Sequence, residues 1–302
     1  MPPEHTLDVS SLDGATAFFL GSRSRLFGIA YRILGTVAEA EDVVQETWLR
    51  WQTADRSAVL EPVAYLVSVT TRLAINILQS AQSRRETYIG PWLPEPVDTS
   101  SDPTLGAERV EALQLAVMLL LEKLPPVERA AYVLREAFEY SHRQIAEVLD
   151  MTETNVRQIV TRARKHIASE RRAPARKAEH ERLLRAFITA AQQGELSGLE
   201  RLLGSDVVSY SDGGGAVRAA LVPIRGRARV AKFIASFASH WWTGATITWV
   251  EANGDLAALL SRDGQAYALA SIDASGEEID RILWVMNPAK LASISARSVS
   301  SS

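Results

Sequence analysis

The 302-residue chain has no cysteine, which excludes a disulfide framework and any Cys-ligated metal site and fits a reducing compartment. No run approaches the ~18 consecutive apolar residues of a membrane span. The N-terminus also lacks a basic segment followed by an apolar one. The expectation is a cytoplasmic protein with no membrane partner. Net charge is small as well: 33 Lys and Arg against 36 Asp and Glu give -3, so no global field marks a nucleic-acid binder. The balance hides an asymmetry. Acidic residues gather from Glu39 to Glu46, and basic ones from Arg157 to Lys177, including Arg171, Arg172 and Arg176. A composition 47% hydrophobic and 23% charged is that of globular domains, and the length allows two or three of them.

What is present begins with Glu39 to Trp51, Glu-Ala-Glu-Asp-Val-Val-Gln-Glu-Thr-Trp-Leu-Arg-Trp. Wound at ~3.6 residues per turn, it sets Ala40, Val43, Val44, Thr47, Trp48 and Trp51 on one arc, a core face. Asp42, Gln45, Glu46 and Leu49 share the opposite arc. That face is by itself more often an ordinary solvated acidic surface, although the leucine among the polar groups suggests docking.

Ser141 to Ile167 is the second informative stretch. Ile145, Ala146, Val148 and Leu149 give a short apolar-faced helix, Asp150 and Met151 a tight connection, and Thr152 an N-cap type before a second helix. This is helix-turn-helix spacing. Val156, Ile159, Val160, Ala163 and Ile167 form the inner arc of the second helix, so Thr154, Asn155, Arg157, Gln158, Thr161, Arg162 and Lys165 face outward. Thr, Gln and Arg near the helix start suit base edges in a major groove, while Arg162, Arg164 and Lys165 suit phosphates. The alternative is two packed helices with a basic solvated face.

In this order and separation, the two stretches resemble regions two and four of the sigma-70 family of bacterial transcription initiation factors, in its extracytoplasmic-function (ECF) branch, over residues 15 to 170. Gln144-Ile-Ala-Glu-Val-Leu149 and Arg162-Ala-Arg164 carry the likeness in region four. The resemblance implies that the Asp42, Gln45, Glu46 and Leu49 face docks on the clamp helices of bacterial core RNA polymerase. It implies that the helix-turn-helix reads the -35 element of promoter DNA. A helix opened by Glu61 and Pro62 then stands where the family melts and reads the -10 element. Ser68, Thr71, Arg72 and Asn76 are its strand-contact candidates, with Arg84 and Arg85 for phosphates behind. Common ECF members have Asn where Arg72 stands and Asp where Asn76 stands, so no base preference transfers.

The expected organisation is region two over 15–89, a linker over 90–106, region four over 107–172 and a further domain over 176–291. A helix from Ala15 to Leu34 ends at Gly35, and Thr36 caps the acidic helix. Core helices are predicted from Leu105 to Lys123 and from Val127 to Phe138. The linker is dense in Pro, Ser and Asp, which excludes regular structure. Trp92 and Leu93 within it are large apolar residues that need a partner surface. Trp92-Leu93-Pro94-Glu95-Pro96 matches the linker signature of an ECF subgroup, SigJ-like, that carries a SnoaL-like domain after region four.

Beyond Pro174 the pattern turns mixed. Helices are predicted over Glu179 to Gln193 and around Leu196 to Leu203, and strands over 207–210, 217–223, 246–251, 256–261, 266–272 and 279–285. Asn253-Gly254 and Asp263-Gly264 read as hairpin turns, and Arg227 to Trp241 as a helix. That order resembles the NTF2-like family, a cone-shaped α+β barrel. The expected fold class is therefore multidomain: two all-α sigma domains followed by an NTF2-like cone barrel. Asp212-Gly213-Gly214-Gly215 resembles the subgroup's Asp-Gly-Gly-Gly-Lys with Ala216 in place of Lys. Asn287-Pro288-Ala289-Lys290-Leu291 resembles Asn-Pro-Asp-Lys-Leu with Ala289 in place of Asp. The Ser-rich tail from Ala292 is expected to be loose.

The subgroup implies control in cis, with the C-terminal domain holding the linker and both DNA-reading domains through these two loops. Competing readings are a one-component helix-turn-helix regulator, a small apolar ligand sensed by the barrel, and an isomerase or cyclase in that barrel. For the last, Asp206, Tyr210, His240, Asp255 and Tyr267 would face a cavity lined by Trp241, Trp242, Trp249 and Trp284. No His-Asp pairing at a useful spacing stands out, so no enzyme and no cofactor are expected.

Overall fold

The structure, a computed structural model, describes residues 11–100 and 113–298, with the side chains of 81–86 and 295–298 outside that description. The described elements are α1 (Leu12–Leu34), α2 (Val37–Thr53), α3 (Pro62–Glu86), α4 (Leu115–Leu121), α5 (Pro126–Glu136), α6 (His142–Leu149), α7 (Glu153–Glu170), α8 (Lys177–Gln193) and α9 (Leu196–Leu202). There follow β1 (Leu203–Asp212), β2 (Ile224–Arg225), α10 (Arg227–Ser236), α11 (Ala238–Trp241), β3 (Thr246–Ala252), β4 (Asp255–Arg262), β5 (Gln265–Ser275), β6 (Glu278–Val285) and α12 (Pro288–Ser298). Two compact units form: one from the described residues of Met1–Ser83 and Leu121–Lys165, the other from those of Arg84–Pro103, Leu113–Leu120 and His166–Ser302.

The first unit is helical. Gly35 ends α1 at φ 80°, a left-handed position that glycine enters without a Cβ clash, and donates its N–H to Tyr31 O at 2.7 Å. Thr36 occupies the N-cap position of α2, but its hydroxyl donates to the Glu39 carboxylate at 2.7 Å and accepts no backbone N–H. Buried Trp51 ties α2 to α1 by donating Nε1–H to Ala15 O at 3.1 Å, and the Thr47 and Thr70 hydroxyls meet at 3.1 Å between α2 and α3. Of the expected helix over Leu105 to Lys123, residues 105–112 lie outside the described residues, and the remainder is helical over Leu115–Leu121.

Arg129 on α5 is 1% exposed and donates to Ile33 O at 2.8 Å and to Glu122 at 2.5 Å. Replacing it removes the buried guanidinium from both the Glu122 carboxylate and the Ile33 carbonyl, and breaking a buried pair from one side costs about 3–5 kcal/mol. Arg129→Met is expected to lower the unfolding free energy by that amount, read as the shift in urea midpoint multiplied by the slope of the helical circular-dichroism transition. A loss under about 1 kcal/mol would show that the pair contributes little.

The second unit is built on a six-stranded sheet in the order β2-β1-β6-β5-β4-β3, with β1 and β6 parallel and the other neighbours antiparallel. Both hairpin turns form as the sequence predicts: Asn253 and Gly254 take φ 55° and 83°, Asp263 and Gly264 51° and 76°. Strand alternation divides the apolar residues between two faces. Leu260, Ala270, Ile272, Ile282 and Trp284 pack with Leu183, Phe187, Leu199 and Ile234 of α8, α9 and α10. Leu259, Leu269, Leu283 and Val285 turn the other way, onto Leu93, onto Leu115 and Leu119 of α4, and onto Leu291 and Ile294 of α12.

The sheet is open, which corrects the expected closed cone barrel: β2 and β3 are its two edges and no pairing joins them. Closure needs every strand paired on both sides. The stretch 217–223, expected as a strand, is irregular, and only Ile224–Arg225 pairs with β1. Pro223 has no ladder donor, and Leu221 and Val222 are 67% and 70% exposed. Two further expectations change. The helix over Arg227 to Trp241 divides at Phe237 into α10 and α11, and, within the tail expected to be loose, residues 292–298 continue α12, with Ile294 2% exposed.

Candidate functional sites

On α2 the outer arc reaches solvent: Asp42 and Gln45 are exposed, Leu49 is 49% exposed, and half-buried Glu46 pairs with Arg50, one turn on, at 2.8 Å. Sequence periodicity missed the neighbouring wall. Leu20, 62% exposed, and Arg23, paired with Glu41 at 2.5 Å, line a groove between α1 and α2 together with Phe19, Gln45 and Trp48. A leucine outside the apolar arc of α1 was the available signal.

On α3 the candidates separate. Thr71 is 0% exposed and its Oγ1 is enclosed, so it is withdrawn from the strand-contact set: it sits on the α3 arc that packs inward. Arg72 and Asn76 are exposed and Ser68 half-buried. Arg72 Nε donates to Val148 O at 3.0 Å and Ser68 Oγ reaches the same carbonyl at 3.4 Å, so the last turn of α6 is held by the position where Arg replaces the family's Asn. The side chains of Arg84 and Arg85 lie outside the described residues.

The helix-turn-helix is set by local chemistry. Ser141 Oγ accepts Gln144 N–H at 3.2 Å while Gln144 Oε1 accepts Ser141 N–H at 2.9 Å, a reciprocal capping box. Asp150 ends α6 at φ 55°, and Thr152 Oγ1 accepts Asn155 N–H at 3.3 Å to start α7. Thr154, Asn155, Arg157, Gln158, Thr161, Arg162 and Lys165 are all exposed, and five of them line one shallow concavity. Arg162 pairs with Glu128 and Arg164 with Glu136, both at 2.6 Å. Exposed pairs of this kind contribute about 0–1 kcal/mol, so a phosphate can replace the carboxylate.

In the second unit the linker is clasped. Asp212, at the end of β1 and 0% exposed, accepts Leu93 N–H at 2.8 Å, Tyr88 Oη–H at 2.6 Å and Lys290 Nζ–H at 2.7 Å. Lys290 also donates to Leu93 O at 2.5 Å and lies 4.1 Å from the Trp92 ring centroid, a cation-π contact. Burial, followed by the Asp212 carboxylate it donates to, holds the Tyr88 hydroxyl well above the ordinary phenol range. Leu93, Pro94 and Pro96 are buried and Glu95 half-buried, and Ser293 donates to Pro96 O at 3.2 Å. Further along, Asn253, 0% exposed, exchanges two hydrogen bonds with Val97 and donates to Leu113 O.

The two loop motifs meet at this clasp. A Cβ on Gly214 would stand 2.3 Å from Asn287 Nδ2 and 2.8 Å from Tyr88 Oη, so close approach requires glycine there. Asn287 donates to Tyr88 Oη at 2.9 Å and accepts Ala289 N–H at 3.0 Å. Ala216 and Ala289, the two departures from the subgroup motifs, are both exposed; the buried charges are Asp212 and Lys290, which the chain retains. Tyr88 and Asn253 were missed from sequence, because neither lies in a matched motif and Asn253 reads equally well as a plain turn residue.

On the opposite face of the sheet lies a cavity of about 550 Å³ with Trp241, Trp242, Trp284 and His240 in its wall. The other polar candidates are elsewhere. Asp206 is exposed beside Arg172, and Tyr210 packs on the linker face. Asp255, its pKa raised by burial, lies among His180, Gln114 and Arg171. Tyr267 donates to Trp241 O at 3.1 Å, and Trp249 stacks under Arg185. No acid-base pair faces the cavity among the described residues.

The sigma-70 region 2 family model matches residues 19–84, and that of sigma-70, region 4, matches residues 114–167. The ECF RNA polymerase sigma factor SigJ of Mycobacterium tuberculosis is 37% identical over 231 residues, covering 75% of this chain and 74% of the relative. A probable ECF sigma factor of the same species, SigI, is 33% identical over 208 residues, covering 68% and 72%. The crystal structure of M. tuberculosis SigJ aligns with a TM-score of 0.74 at 31% identity, covering 92% of this chain and 98% of that one. With both region models matched in order and the likeness running through the α+β unit, the chain belongs to the extracytoplasmic-function RNA polymerase sigma factors.

Proposed function

We propose that this sigma factor directs promoter-specific initiation by bacterial core RNA polymerase and is controlled in cis by its C-terminal unit. In this reading Asp42, Gln45, Glu46 and Leu49 dock on polymerase, with Leu20 and Arg23 extending the surface. Arg72 and Asn76 serve the -10 element, and the outward residues of α7 the -35 element. The C-terminal unit carries the linker and loop motifs of the subgroup whose third domain is SnoaL-like. The observation that carries control in cis is the buried Asp212–Lys290 pair closed around the backbone of Leu93. A linker held at both its N–H and its carbonyl has one conformation, and its release changes the freedom of what it connects.

Transcription in vitro tests the reading. The whole protein and a chain ending near Pro174, each with core polymerase, are expected to differ several-fold in start-site-specific transcript. Equal output would overturn control in cis. Specific binding to duplex promoter without polymerase, with no transcript from either chain, would favour the one-component regulator instead.

A further inference from the structure

We propose that the cavity bounded by β1, β6 and the α10–α11 elbow is a binding site for a flat apolar acid, a molecule with an aromatic or fused-ring body and one carboxylate. Its volume of about 550 Å³ lies within the range of small-molecule sites. Rings set edge to face make the walls: Trp241 against Trp284 at 6.5 Å and 85°, and Phe233 against Phe237 at 4.9 Å and 72°. Such walls leave slots that accept a planar body by offset or edge contact.

The polar groups are few and none is acidic. Ser211 supplies a hydroxyl from the buried end of β1, and Arg218 and His240 stand at the exposed rim. Among the described residues no Asp or Glu lines the cavity, and Arg218 has no hydrogen-bond or ion-pair partner. An unpaired guanidinium over an apolar slot is a bidentate receptor for carboxylate, and it repels a cationic ligand.

The cavity also lies back to back with the linker clasp. Successive residues of a strand point to opposite faces, so Ser211 faces the cavity while Asp212 holds Leu93 and Lys290. Met286, in the cavity wall, donates its N–H to Asp212 O at 2.8 Å, and the next residue, Asn287, donates to Tyr88. A ligand that packs on Ser211 and Met286 therefore orders the strand ends from which the clasp hangs. This coupling is independent of what the clasp does in transcription, so failure here and failure of control in cis are read separately.

Calorimetric titration of the full chain with 2-naphthoate and with its neutral counterpart 2-naphthalenemethanol tests the site. The acid is expected to bind at one per chain, at least threefold tighter than the alcohol. Arg218→Gln is expected to erase that preference and leave alcohol binding unchanged, and Ala220→Trp, which fills the wall, to abolish both. In hydrogen exchange, bound 2-naphthoate is expected to slow the Leu93 amide at least threefold. Absence of binding to the full chain at millimolar probe, or unaltered binding to Ala220→Trp, overturns the site. A preference that survives in Arg218→Gln overturns the ligand class, and an unchanged Leu93 amide overturns the coupling.

Discussion

Asp42→Ala combined with Glu46→Ala is expected to abolish start-site-specific transcription by reconstituted polymerase while leaving the fold intact. Asp42 is exposed with no partner among the described residues, and Glu46 is held only by Arg50. An i,i+4 pair on a helix surface contributes about 0.2–0.5 kcal/mol, so removing both carboxylates changes stability little. Against a partner the balance reverses. Hydrogen bonds to charged groups contribute about 1.5–3 kcal/mol each once desolvated. Two such contacts correspond to a loss of about two orders of magnitude or more in affinity for polymerase. The measurement is transcript yield at limiting sigma factor, with Glu147→Ala, an exposed carboxylate on α6, as the matched control. Wild-type yield from the double variant would remove the acidic arc of α2 from the docking surface.

Asp212→Ala carries the second large effect. The carboxylate is 0% exposed and its partner Lys290 has a side chain 9% exposed, so the truncation takes the carboxylate away from a buried ammonium. Breaking a buried pair from one side costs about 3–5 kcal/mol. Its burden falls on the linker, because Leu93 N–H and Tyr88 Oη–H lose their acceptor in the same substitution. The expected result is hydrogen exchange at Leu93 faster by two to three orders of magnitude, at about 1.4 kcal/mol per tenfold. Cleavage of the 88–97 segment by added protease should rise in parallel. Adding Lys290→Met should recover a large part of the loss, since no buried charge then remains. Exchange within tenfold of wild type in the single variant would show that apolar packing of Leu93, not the ion pair, holds the linker.

Much of the helical half was legible because its determinants are local. Gly35 and Asp150 end helices through positive φ, Ser141 and Gln144 cap reciprocally, and the arcs of α2 and α7 follow from spacing alone. The open edge of the sheet was not legible in the same way. Val217 to Pro223 alternates well enough to suggest a strand, yet a strand requires a neighbour able to pair, and a proline at its end together with a glycine run before it leaves only two residues on β1. Thr71 failed for a related reason: an α-helix packed on two sides has an inward arc wider than the one its sequence suggests.

The sequence by itself determined the family, the two region motifs and the residues that face outward on α2 and α7, because helix faces and motifs depend on groups close together in the chain. Only the tertiary structure decided which charges are buried together. Asp212 meets Lys290 across 78 residues and Leu93 across 119. It also decided that the substituted Ala216 and Ala289 lie outside that pair, that Arg72 reaches the carbonyl of Val148, and that the sheet stays open. These are long-range contacts, selected by whether a buried polar group finds a partner and an edge strand finds a neighbour, and no window of sequence contains both sides of that choice.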